Sequence, residues 1–129
     1  GTLVISRSTD DRRDDDRRAA MPKYLIQASY TTEGVQGLLS DGGSARAAAA
    51  TAAGESLGGS VESIYFAFGS DDVIVVADLP SNAAAAALSL AVSASGAVNA
   101  RVTVLLTPEE IDTAAATVRD SVSYNPPGT

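Results

Sequence analysis

The sequence predicts an α+β fold whose elements run β-α-β-β-α-β, followed by one further helix. Three observations predict it. Residues 23–31 alternate between apolar and polar side chains, as a half-buried strand does. Two apolar segments, 60–69 and 72–79, meet at a turn containing Gly69, Ser70 and Asp71, the pattern of a β-hairpin. Alanine-rich stretches at 44–57 and 83–95 lie between the strand segments, and alanine is the strongest helix former.

Taken in order, the first strand places Tyr24, Ile26, Ala28 and Tyr30 on one face. Glycines at 34, 37, 42 and 43 punctuate the next segment, which predicts a single short helical turn around Val35–Leu39. Residues 44–57 form the main helix, stopped by Gly58-Gly59. In the hairpin, strict alternation sets Ile64, Phe66 and Phe68 against Val61, Tyr65 and Ala67, and Val73-Ile74-Val75-Val76 is apolar throughout. Pro80-Ser81-Asn82 ends the second hairpin strand and supplies caps for helix 83–95. Ala97–Leu106 reads as the fourth strand. Thr107, Pro108 and Glu110 then form a helix start of the capping-box type, with Ile111, Ala114, Ala115 and Val118 as the apolar stripe.

This order is the ferredoxin-like plan, four antiparallel strands with two helices on one face. In that plan the second face should be polar, yet both hairpin strands are apolar on both sides. Such a face calls for cover. The economical cover is a second copy packed sheet to sheet, giving a homodimeric α+β barrel; the C-terminal helix is the intramolecular alternative. Arg101 and Thr103, on the polar face of the fourth strand, would then sit at the dimer contact.

With 129 residues, 45% of them hydrophobic and 19% charged, the chain can build one domain with a core. It contains no cysteine, histidine or tryptophan. Disulfides, thiolate or histidine metal sites, cysteine nucleophiles and Ser-His-Asp chemistry are therefore excluded, and no cofactor or metal is expected. Residues 1–20 carry five arginines and five aspartates, net zero, and read as a mixed-charge extension. Met21-Pro22 opens the folded domain, expected over 21–120, and 121–129 form an extended tail. The whole net charge of −7 belongs to the remainder after residue 20. An acidic body disfavours nucleic acid and anionic membranes as partners. With no apolar run long enough for a signal or a span, the expected location is cytoplasmic.

Across residues 21–113 the chain resembles the GYD domain family, small bacterial domains of ferredoxin-like fold. The resemblance is carried by KYLIQASYTTEGV, SARAAA, IYFAFGSDDVIVVADLP and SGAVNARVTVLLTPEEI. The family's turn typically reads Gly, a variable residue, Tyr and Asp. Here it reads Gly69-Ser70-Asp71-Asp72, so Gly69 and Asp72 carry over and Asp71 replaces the tyrosine. Asn99 stands where many members have arginine, and Arg46 matches an arginine common at the start of the main helix. The resemblance implies a fold and supplies no reaction.

Connectivity brings Tyr30, Gly69, Asp71, Asp72, Asn99 and Arg46 toward one end of the sheet. Arg46, three residues into its helix, sits where the helix dipole disfavours a cation, so it should pair with Asp72 or Asp71, or hold a small anionic ligand. Tyr24, Tyr30 and Tyr65 are candidate pocket walls. The expected function is a homodimeric small-molecule-binding protein with Arg46, Tyr30, Asp72, Asn99 and Gly69 at its pocket. The alternatives are a cofactor-independent enzyme, monooxygenase- or isomerase-like, with Asp72 as base and Tyr30 as proton donor, or a purely structural subunit.

Overall fold

A computed structural model describes residues 21–129, so the expected 1–20 extension lies outside the described residues. The strands are β1 (Lys23–Tyr30), β2 (Ser60–Phe66), β3 (Val73–Asp78) and β4 (Val98–Leu105), and the helices α1 (Thr32–Asp41), α2 (Gly43–Ser56), α3 (Asn82–Ala94) and α4 (Pro108–Ser121). They form a four-stranded sheet in the order β2-β3-β1-β4, antiparallel at each pairing. This is the α+β arrangement expected of the ferredoxin-like plan. The central pair, β1 and β3, is the most buried part of the sheet.

One element is much longer than its sequence suggested. The expected turn at 35–39 is a ten-residue helix, α1. Thr31 starts it by accepting the Gly34 N–H on its Oγ1 at 3.2 Å, and Glu33 complements the positive end of the helix. Gly34 is buried because the helix passes very close to the loop before β4. A Cβ there would lie inside contact distance of the Ala97 carbonyl and against the Tyr30 ring. The glycines read as helix breakers, but this one is what permits the close approach. Gly42, at φ 84°, ends α1 by donating its N–H to the Leu38 carbonyl, and α2 begins at the next residue.

The hairpin departs from strict alternation. The pairing register shifts between Val61 and Ser63, so β2 contains a bulge. Val61 pairs with Ala77 and Ile64 with Val75, which puts Val61 and Ile64 on the same, helix-covered face. Strict alternation sets Val61 against Ile64, and the bulge removes that opposition. β2 also ends at Phe66, so Ala67 and Phe68 belong to the connection, which is longer than the expected tight turn. The second face is consequently less apolar than alternation implied, though Ile74, Val76, Leu25, Leu105 and Tyr65 remain on it.

The buried core runs along β1 and β3 on the helix-covered face, and its largest side chains lie at one end. Tyr24 and Leu79 are the largest fully buried side chains, packed with Ala77 and Ala85. The Tyr24 hydroxyl donates to Asn82 Oδ1 at 2.7 Å, tying β1 to the start of α3. On the opposite face Lys23 Nζ donates to Glu62 Oε2 at 2.8 Å and to the buried Asp78 at 2.9 Å. Hydrogen bonds to Glu62 and then Asp78 hold the Lys23 ammonium above the usual lysine range. The α4 start has the expected capping box, Thr107 with Glu110. The helix nevertheless stands clear of the sheet, with Ile111 and Val118 exposed, so it does not supply the intramolecular cover.

The two α1 glycines should respond oppositely to alanine. Gly34→Ala is expected to cost about 1–3 kcal/mol, because its Cβ meets backbone. Gly37→Ala, which faces open space, should stabilise by about 0.5–1 kcal/mol. Chemical denaturation of both variants checks the pair.

Candidate functional site

Alanine is too short to reach far from a helix. The inner side of α2 consists of Ala49, Ala50, Ala53 and Gly54, and α2 packs chiefly on the edge strand β2. The other helix, α3, packs on the opposite edge strand, β4. Between the two helices, over β1 and β3, a cavity of about 150 Å³ remains. Its floor is hydrocarbon from all four strands, including Ile26, Ala28, Val73, Val75, Ala100 and Val102. Leu88, Ser89 and Val92 of α3 close the far wall. The volume matches that of an apolar cavity able to take a benzene-sized molecule.

Among the described residues, three that line the cavity carry side-chain hydrogen-bonding groups: Tyr30, Arg46 and Ser89. Tyr30 ends β1, and the α2 N-terminus lies over the end of β2, where Gly43 meets the Phe66 ring. β1 and β2 run parallel across β3, so Tyr30 and Arg46 mark the same end of the cavity. This end is opposite the packed core around Tyr24 and Leu79.

Asp72 has a different position from the one expected. Its Oδ2 accepts the Tyr30 N–H at 2.8 Å, its own N–H donates to the Ala28 carbonyl at 2.8 Å, and its carbonyl accepts the Ala67 N–H at 2.9 Å. The first two bonds fasten the hairpin to the end of β1, and the third closes the hairpin connection itself. No Arg46–Asp72 ion pair forms among the described residues, because the Asp72 carboxylate is turned to the β1 backbone. Asp71 instead receives Arg101 Nη2 at 2.8 and 2.9 Å and Gln27 Nε2 at 3.2 Å, on the face away from the helices.

The six residues that connectivity assembled thus separate between two faces. Tyr30 and Arg46 line the cavity. Gly69 lies in the hairpin connection with open space around it, and Asn99 is exposed opposite Ser29. Neither they nor Asp71 and Asp72 contribute to the lining. Of the tyrosines, Tyr24 is a core residue and Tyr65 is exposed on the uncovered face. The lining alanines of α2 carry no sequence motif, although the run at 47–50, which includes Ala49 and Ala50, is their signal.

Residues 24–115 match the family model of the GYD domain, a span from the second residue of β1 into α4. No curated protein and no solved structure matches the chain. Among the described residues, no helix is long and apolar enough to cross a membrane.

A fastening role for Asp72 predicts an effect on stability. Asp72→Ala leaves the Tyr30 N–H without its acceptor and should cost about 1–2 kcal/mol in thermal or urea unfolding. Asp72→Asn keeps an oxygen in reach and should recover more than half of that loss.

Proposed function

The chain belongs to the GYD domain family, and on that premise we propose that it is a homodimeric small-molecule-binding protein whose ligand occupies the cavity between α2, α3 and the sheet. The observation that carries this reading is the cavity itself: a benzene-sized apolar space with polar side chains gathered mainly at one end. Filling it would require only a few larger side chains at positions now held by alanine and glycine. A ligand supplies the missing contacts without changing the backbone.

The second copy is supported by the uncovered face. Leu25, Ile74, Val76, Leu105 and Tyr65 form an apolar band there, and neither α4 nor another helix covers it. The charges bordering this band are already paired, Lys23 with Asp78 and Glu62 at one end and Arg101 with Asp71 at the other. A sheet-to-sheet dimer would therefore bury hydrocarbon while leaving those pairs intact at its border. Arg101 and Thr103 would lie at that contact.

The enzymatic alternative has less to stand on. It needs Asp72 to accept a proton from a ligand, whereas that carboxylate is held by the Tyr30 amide and lies outside the cavity lining.

Fluorobenzene titrated into the protein and followed by ¹⁹F NMR should bind saturably. Ala50→Leu, which fills the cavity, should abolish that binding and raise stability by about 0.5–2 kcal/mol. Unchanged binding to Ala50→Leu, or none to either protein, would overturn the cavity reading. Native mass spectrometry of the same samples should show a dimer, and a monomer throughout would overturn the second copy.

A further inference from the structure

Resting on that binding reading, we propose that the ligand is a monocarboxylate with an apolar body about the size of a single ring, its carboxylate held by Arg46. The body follows from the lining. Beyond Tyr30, Arg46 and Ser89, the walls are alanine, valine, isoleucine, leucine and glycine. A polar or branched hydroxylated body would leave several groups without hydrogen-bond partners, which such a cavity penalises strongly.

The head group follows from the fate of the cations. Residues 21–129 contain four basic side chains: Lys23, Arg46, Arg101 and Arg119. Lys23 is engaged by Glu62 and Asp78, and Arg101 by Asp71, all on the opposite face of the sheet. Arg119 is in the last turn of α4, away from the sheet. Arg46 alone of the four lines the cavity, and among the described residues no carboxylate lies within ion-pair distance of it. Its position in the first turns of α2 adds the unfavourable positive end of the helix dipole. An anion answers both deficits.

The number of charges is also constrained. One guanidinium presents a planar fork that matches a carboxylate, and Tyr30 and Ser89 add only neutral hydroxyls. A phosphate dianion or a dicarboxylate would bring a second negative charge against hydrocarbon, with no second cation among the described residues of the lining to meet it.

The test compares ligands of one shape and different charge on the full chain: 4-fluorobenzoate, 4-fluorobenzamide and 4-fluorobenzylamine, each titrated by ¹⁹F NMR. The benzoate should bind about tenfold more tightly than the amide, and the amine more weakly than either. Arg46→Gln should erase the benzoate's advantage while leaving the amide unchanged, and Arg46→Lys should retain part of it. Equal binding of benzoate and amide, or a benzoate preference that survives Arg46→Gln, would overturn the carboxylate assignment while leaving the cavity reading intact. Failure of fluorobenzene and all three ligands would instead remove the cavity reading on which the assignment rests. Circular dichroism melts of both Arg46 variants separate lost affinity from lost fold.

Discussion

The reach of an alanine side chain governs this molecule. Two helices must cover one face of a four-stranded sheet, and the helix that spans β2 offers the sheet only alanine and glycine from Ala49 to Gly54. Each helix packs chiefly on an edge strand, and a space remains between the two above the buried centre of the sheet. At one end the gap is closed by two large side chains, Tyr24 and Leu79. At the other it stays open, bordered by Tyr30 and Arg46. Close packing is the rule in protein interiors, so a space of this size beneath two ordered helices calls for an explanation in function.

The two sheet faces divide the work. Hydrogen bonds from Asp72 hold the hairpin to β1, so the floor of the cavity is fixed by backbone that Asp72 fastens from outside the lining. On the second face, Asp71 and Asp78 retain Arg101 and Lys23. That partition leaves Arg46 as the cation available to the cavity. Of the two adjacent aspartates, Asp71 pairs with Arg101 on the second face and Asp72 holds the β1 backbone. Where the family resemblance places a tyrosine, Asp71 forms an ion pair instead.

Much of the fold was legible in the sequence because its signals are local. The capping box at Thr107 and Glu110, the Ser81 cap of α3 and the alternation of β1 each depend on residues close in the chain. What escaped depends on distant partners. Gly34 looks like a break in a helix until the Ala97 carbonyl is placed beside it. The β2 bulge, which turns Val61 toward the helices, has no marker in SVESIYF. The site was only half legible for a similar reason. Connectivity assigns residues to an end of the sheet, but it does not specify which face each side chain takes. Asn99 and Asp71 went to the far face, and the lining alanines drew no notice because alanine carries no chemistry of its own.

The central claim is that the folded protein holds a stable apolar space between α2, α3 and the sheet. Diffraction from crystals pressurised with xenon tests it most directly, since xenon occupies apolar spaces of this size. The account predicts a well-occupied xenon site bounded by Ala50, Val75 and Leu88. Helices closed over β1 and β3, with no xenon between them, would contradict it.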